Sequence, residues 1–429
     1  MIIVGSLVIV CVMLLLGVSV FVAFGAVLMF IAVFGDQSIT GYLPTGATGL
    51  RSLVLLAIPL FMIAGGVMER GRIAAPLVAI AEMFVGHLKG GLSAAAVLAC
   101  GVFGSIAGSA NSTLTCIGGI MLPHLKKANY PEGKSAALLV AASPLGLLIP
   151  PSANHILYGW VAQQHVLKCF LSTVIPAFIL ITLLIITNHF MLRKHDEIKL
   201  SERPSPFLPA LKAQGRVAGP ALMMPIIILG GIYGGIMTPT EAAGIAVVYA
   251  IPVAIYFYRG LTWRGLMETF QKSGITIGVV MIMIFMVLIV SDNLIAQGAP
   301  QIAQQMVYSV SDNPIVILLM INVVMILIGM LMDDISGLLL STPILLPIAQ
   351  SVGMDPIHFA AVIGVNLGMA NITPPTAPLL YLGAQVSETP VAKMLWPTLI
   401  FIIFAWLPTL MLTTFVPSVA LWLPELLLG

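Results

Sequence analysis

The sequence predicts an all-α polytopic membrane protein built from two inverted repeats, each carrying a re-entrant helical hairpin and a broken helix. Three observations carry that prediction: a composition too apolar for water, recurrent runs of membrane-spanning length, and a self-match at a fixed offset.

Of the 429 residues, 59% are apolar and 8% are charged. An ordinary soluble domain carries about 25% charged residues. So few charges could not cover a soluble fold of this length, and disordered chains are charge-rich and apolar-poor. With 18 Lys+Arg against 16 Asp+Glu, the net charge of +2 excludes an electrostatic nucleic-acid binder. The mean hydropathy of +1.10 completes the case for a chain living in the lipid bilayer. Cys11, Cys100, Cys116 and Cys169 show no metal or redox spacing and read as packing residues. No basic segment precedes the apolar start, so it is expected to be a spanning helix rather than a cleaved leader.

Taken in order, apolar runs that could cross fall near 3–34, 51–67, 92–107, 135–149, 170–191, 219–236, 241–258, 274–291, 314–332, 358–371 and 396–416. A crossing needs about 20 residues, so about eleven spans are expected. Between 69 and 90, charged and apolar residues alternate (Glu69, Arg70, Arg72, Glu82, His87, Lys89), which predicts an amphipathic helix along the membrane surface. The runs 104–123 and 329–348 are interrupted by Gly and polar residues. Irregular polar backbone at membrane depth must be buried in protein or line a cavity, so both are expected to be re-entrant hairpins. Thr238-Pro239-Thr240-Glu241 is a capping box, and Asn313-Pro314 and Asp355-Pro356 open helices similarly; Glu241 therefore reads as structural. The one sizeable hydrophilic stretch, 192–218, holds Arg193, Lys194, Lys199, Arg203, Lys212 and Arg216 beside Asp196, Glu197 and Glu202. It is expected to be a cytoplasmic amphipathic connector between an N-terminal half (1–191) and a C-terminal half (219–429).

The halves match at an offset of 224 residues, the separation of Pro151 and Pro375. IPPSANHILYG (149–159) faces TPPTAPLLYLG (373–383), which predicts broken helices at 150–151 and 374–375. The same register sets Pro123 on Pro347, Ser112 on Ser336 and Ser109 on Asp333. Loop 124–134 has three Lys, whereas its counterpart 348–358 has no Lys or Arg. By the positive-inside rule the first is cytoplasmic and the second external, so the repeats are inverted.

Binding sites in such folds lie where broken elements of both repeats meet near the midplane. The expected sodium ligands are Ser105, Ser109, Asn111, Ser112, Asp333, Ser336, Gly337, Thr373 and Thr376. Hydroxyls, amides and freed carbonyls are hard oxygen ligands suited to Na⁺. Pro150, Pro151, Ser152, Asn366 and Asn371 are the expected substrate residues, because half-helix N-termini suit an anion. Further polar residues at these depths are Thr113, Ser143, Asp334, Ser341 and Thr342. An acid inside the membrane marks a functional site by default. No Lys or Arg lies between Lys272 and Lys393, so Asp333 and Asp334 need a partner from the other half, a proton or a cation. Against these readings, a Ser or Thr hydroxyl can simply bond its own helix backbone, and the acids can be helix caps. No catalytic constellation and no GxxxxGK[ST] loop is present, so this is expected to be neither an enzyme nor an ATP hydrolase.

At these motifs the chain resembles the large membrane (permease) subunit of TRAP transporters, the tripartite ATP-independent periplasmic transporters of the DctM-like family. The resemblance runs nearly end to end and rests on IPLFMIAGGVMERG (58–71), GHLKGGL (86–92), GSIAGSA (104–110), IPPS (149–152), MTPTEAA (237–243), GMLMD (329–333), PILLPIA (343–349), MDPIHF (354–359) and NLGMANITPP (366–375). It implies a multi-pass protein of the bacterial inner membrane and sodium-driven import of an organic acid, sialic acid and C4-dicarboxylates being the examples. A periplasmic binding protein and a small four-helix membrane subunit on a separate chain are the implied partners, and an elevator-type movement the implied mechanism. The family's sodium sites map onto the serines around Ser105–Ser112, onto Asp333, and onto Thr373 and Thr376. The competing reading is a stand-alone ion-coupled anion transporter that needs no binding protein.

Overall fold

Residues 2–34, 39–200 and 206–429 are described by a computed structural model of the chain. Two connector residues weighed in the sequence, Glu202 and Arg203, lie outside them. Every regular element among the described residues is helical. Seven helices are long and apolar enough to cross a bilayer, or eight if the bent pair Glu132–Leu148 and Ala153–Val161 is one span. Shorter apolar helices accompany them, including Ile2–Leu15 and Val20–Phe34. The run 3–34, expected as one span, is thus two helices packed side by side. The break falls at Gly17, whose φ of +78° a residue with a Cβ rarely adopts. Hydropathy alone did not show it because Ser19 is the one polar residue in the turn and no charge marks it.

Several elements are longer than their apolar cores suggested. Phe207–Tyr233 starts inside the hydrophilic connector, and Trp263–Ala296 runs for 34 residues against an expected 18. The stretch 69–90 contains the helix Ala74–Val85, which buries Ala74, Leu77, Val78 and Ala81. Its partner at the repeat offset, Ala299–Val310, was not anticipated, nor were Tyr42–Leu50 and Pro417–Leu428.

The hairpins are larger than the polar segments that revealed them. The first is Gly91–Ala107 and Ala110–Lys127, turning at Gly108-Ser109; the second is Pro314–Leu331 and Asp334–Ser351, turning at Met332-Asp333. What had looked like separate spans at 92–107 and 314–332 are their first arms. The first arm of the first hairpin is small-residue rich (Ala94, Ala95, Ala96, Gly101, Gly104), and all of it except Leu98 and Val102 is buried. Small side chains allow this depth of packing: a Cβ on Gly104 would stand 2.7 Å from the Gly146 backbone.

Each hairpin is followed by a helix broken at a Pro-Pro pair, and both pairs are cis. The two repeats interlock. The second arm of the first hairpin packs on Pro378–Ser387, beyond the second break, while that of the second hairpin packs on Ala153–Val161, beyond the first. The first broken helix also fixes the hairpins' directions. It starts at Glu132, at the base of the first hairpin, and bends by 45° at the break. Near its far end the Tyr158 hydroxyl donates 2.6 Å to the Pro356 carbonyl, at the base of the second hairpin. The two bases therefore lie at opposite ends of one crossing helix, and the hairpins enter from opposite sides, as inverted repeats require.

The start of the connector folds under the first hairpin. Lys199 N–H donates 3.0 Å to the Ala128 carbonyl, and Asn129 donates to the Glu197 carbonyl. The basic connector and the basic loop 124–134 therefore share one side of the protein.

Candidate functional site

A cavity of 620 Å³ lies between the two hairpin tips and the helices Ala57–Arg70 and Trp263–Ala296. From the first tip it receives Gly108, Ser109, Asn111 and Ser112; from the second, Asp333 and Asp334; and from just past the first break, Ala153 and Asn154. Glu69, Arg70 and Lys272 line another part of its wall.

The tips occupy equivalent positions but differ in chemistry. At the first, Gly108 takes the left-handed conformation (φ +59°), which frees the chain to turn within the membrane. Ser109 is the N-cap of the second arm, yet its side chain makes no capping bond. At the second, Asp333 is the N-cap. Its Oδ2 accepts from Ile335 N (3.1 Å) and Ser336 N (3.3 Å), while Oδ1 is buried without a hydrogen-bond partner. The helix Ala153–Val161 also starts without a side-chain cap, at Ser152.

The sodium-ligand expectations divide. Ser109, Asn111, Ser112 and Asp333 line the cavity. Ser105 is buried below the tip and donates 2.7 Å to the Val102 carbonyl. Ser336 is fully buried behind Asp333, with its Oγ unpartnered, and Gly337 N–H donates to the Asp333 carbonyl. Thr373, just past the end of helix Pro356–Ala370, donates back to the Met369 carbonyl. Thr376 donates to the Met330 carbonyl and so ties the second break to the second hairpin.

None of the expected substrate residues lines the cavity. Pro150, Pro151 and Ser152 are buried behind the first tip, with Ser152 Oγ 3.3 Å from His155 Nδ1. Asn366 is fully buried and donates 2.8 Å to Asn322, which donates 3.0 Å to Thr414. That chain of amides ties the second hairpin to the core. The Asn371 carbonyl accepts from Leu379 N–H across the second break. The hydroxyls of Thr113, Ser143, Ser341 and Thr342 bond carbonyls three or four residues back in their own helices.

Asp333 and Asp334 form no ion pair among the described residues. The pairs present are peripheral: Arg70–Glu268, Arg264–Glu268, Lys89–Asp196 and Lys126–Glu132. A carboxylate at bilayer depth costs roughly 2.5–3.5 kcal/mol on insertion scales. Two such groups approach the lower end of a domain's net stability, about 5–15 kcal/mol. A bound cation offsets that cost most directly, and hydroxyl, amide and carboxylate oxygens from two elements are at hand.

Sequence reasoning missed Asn154, Glu69, Arg70 and Lys272. Asn154 sat inside the repeat motif but has Pro378 at the matching position. The other three fell at span boundaries, where charges are ordinary. Only tertiary packing turns them toward the tips.

The family model for the DctM component of the tripartite ATP-independent periplasmic transporter matches residues 7–419. The chain is 34% identical to the uncharacterised protein YgiK of Salmonella typhimurium, over 97% of this chain and 95% of that one. It is 33% identical to the C4-dicarboxylate TRAP transporter large permease protein DctM of Pseudomonas aeruginosa, over 86% of each chain. To the sialic acid TRAP transporter large permease protein SiaM of Vibrio cholerae it is 31% identical, over 89% of this chain and 88% of that one. Among solved structures, the Alcanivorax borkumensis YdaH transporter superposes with a TM-score of 0.59 over 90% of this chain and 87% of that one. At 15% identity, that likeness speaks to the fold alone.

Proposed function

The chain belongs to the DctM family of tripartite ATP-independent periplasmic transporters, as a multi-pass protein of the bacterial inner membrane, and from that premise we propose that it is the permease subunit of a sodium-driven importer of an organic acid. The observation that carries this reading is the meeting of the two tips in one cavity. One tip presents an uncapped helix start and the other an unpaired carboxylate at Asp333. The first suits an anion and the second a cation, so one cavity can hold both.

The acid belongs to the class that the relatives' names record, C4-dicarboxylates or sialic acid. The basic loop 124–134 and the connector face the cytoplasm. The two hairpins and broken helices move together against the helices Ala57–Arg70 and Trp263–Ala296, carrying the cavity across the membrane as an elevator.

A periplasmic binding protein and a small membrane subunit complete the system. Their need follows from the strength of the site. A helix terminus contributes about 0.3–1 kcal/mol to binding an anion, and up to about 2 when partly buried. Two such termini cannot capture a dilute acid, so a partner supplies the affinity. Its docking shifts the permease only by its differential affinity for the outward and inward states.

Reconstitution tests the reading. Proteoliposomes holding this chain and the small subunit are expected to take up malate or N-acetylneuraminate only after the binding protein is added. They should also need an inward sodium gradient and no ATP. Robust uptake by this chain alone would favour the stand-alone transporter instead.

A further inference from the structure

Asn154 is the cavity-lining residue whose chemistry is left most open. It is 2% exposed and lines the cavity, and beyond the Asp334 carboxylate beside it its amide has no hydrogen-bond partner among the described residues. It comes from the first repeat, just past the first break, yet stands beside Asp334 of the second hairpin. Two further buried oxygens at that tip are unpartnered, Asp333 Oδ1 and Ser336 Oγ. An unsatisfied buried polar group costs about 1–3 kcal/mol, so this cluster offers a donor and several oxygen acceptors that a bound species would satisfy.

We propose that Asn154 is the coupling residue of the cavity: its amide oxygen joins Asp333 and Asp334 around a cation, which turns its NH₂ toward the carboxylate of the acid. The proposal rests on the sodium-driven reading above and deepens it. An amide has an acceptor end and a donor end of nearly equal shape. With the site empty of cation, the nearest charge is the Asp334 carboxylate, and the NH₂ end is drawn to it. The donor is then spent and the cavity repels an anion. A cation among the aspartates reverses the preference, because it attracts the amide oxygen. The NH₂ is released toward the cavity, beside the uncapped helix starts at Ser109 and Ser152. The acid therefore binds after the cation, and each tightens the other by the same factor, as linkage requires.

Two substitutions separate the ends of the amide. Asn154→Asp keeps oxygen ligands and loses the donor, while Asn154→Leu loses both. The chain is purified with its small subunit, and each variant is checked for monodisperse elution. Radioactive sodium binding is measured without any acid, in mildly alkaline buffer that keeps the new carboxyl ionised. Uptake is then measured in proteoliposomes with the binding protein added, with malate and N-acetylneuraminate as the probes. Asn154→Leu is expected to raise the half-saturating sodium concentration roughly tenfold, whereas Asn154→Asp keeps it within roughly threefold. Both variants should raise the KM for the transported acid roughly tenfold or more. A purely structural role would move sodium and acid parameters together in both variants, and that result overturns the proposal. So does sodium binding in Asn154→Leu equal to wild type, or an unchanged KM in Asn154→Asp, which would assign the acid to Lys272 or Arg70 instead. A wild-type chain that binds no sodium fails the functional reading, whereas wild-type sodium binding that neither variant alters fails the role of Asn154 alone.

Discussion

The two hairpin tips stand at equivalent places in the repeat and do opposite things with them. Ser109 and Asp333 are both N-caps, yet Ser109 makes no side-chain cap and Asp333 makes two bonds with one oxygen and keeps the other free. The first tip is left with donors and the second with an acceptor. A duplicated element thus supplies the geometry twice, and under the proposed function a single side-chain difference sorts the ions. Symmetry brings the tips together, and its local failure leaves them with different chemistry in one cavity.

The sharpest way to break this comparison is to show that the tips do not enter from opposite sides. In a background without native cysteines, an impermeant thiol reagent applied to intact cells should label a cysteine at Ser351 and leave one at Ala128 unmodified. The outcome is all or none. Equal labelling of both would remove the inverted arrangement that brings Ser109 and Asp333 into one cavity.

Next in size is Asp333→Asn. Asparagine caps helices about as well as aspartate, so the second hairpin should fold and insert. What is lost is the charge. Sodium-dependent uptake is expected to fall by roughly a hundredfold, the upper part of the usual coupling range. Unchanged uptake with unchanged sodium dependence would make Asp333 a cap and nothing more.

Ser109→Asp writes the second tip's chemistry onto the first. The new carboxylate can cap the helix Ala110–Lys127, worth about 0.5–1 kcal/mol, but a third carboxylate at bilayer depth in the cavity that holds Asp333 and Asp334 costs roughly 2.5–3.5 kcal/mol, read as a lowered melting temperature. The same carboxylate occupies the donors and repels the acid, so KM should rise roughly tenfold. Stability and transport would then both fall. A variant that still folds and keeps the wild-type KM would show that the helix start at Ser109 does not hold the acid.

Much of the fold was legible in the sequence because hydropathy, cis-prone Pro-Pro pairs and the repeat offset are local or periodic signals. The hairpins at 104–123 and 329–348 were found by their polar tips, but their apolar arms were taken for separate spans. An arm such as Gly91–Ala107 enters the protein interior, and its composition resembles that of a helix crossing lipid. The cavity wall was legible at Ser109, Asn111, Ser112 and Asp333, where polar residues stand at membrane depth. It was not legible at Asn366, whose amide is consumed by Asn322 in the core, nor at Asn154, whose role depends on meeting the other repeat. Whether a buried polar group faces a partner or a cavity is a property of packing, and one chain's sequence carries little of it.

The smallest expected effect compares a carboxylate at the tip with one at the base of the same fold. Asp196 lies on the connector beneath the first hairpin, 2.7 Å from the Lys89 ammonium, with its side chain 90% exposed. That neighbour holds its carboxyl below the ordinary aspartate range. The sign follows: stability from this pair is present above the ordinary aspartate pKa and is lost as pH falls through the lowered value. Because the pair is solvated and screened by salt, its contribution is small. Asp196→Asn should therefore leave uptake unchanged and melting at neutral pH close to wild type, with any difference vanishing in acid and in high salt. Asp333→Asn should show the reverse pattern, lost transport with a retained fold. If Asp196→Asn abolished uptake as well, charge at the base would matter as much as charge at the tip. The assignment of sodium coupling to the membrane-buried aspartates would then lose its physical ground, which is that Lys89 and water compensate Asp196 whereas no Lys or Arg pairs with Asp333 or Asp334 among the described residues.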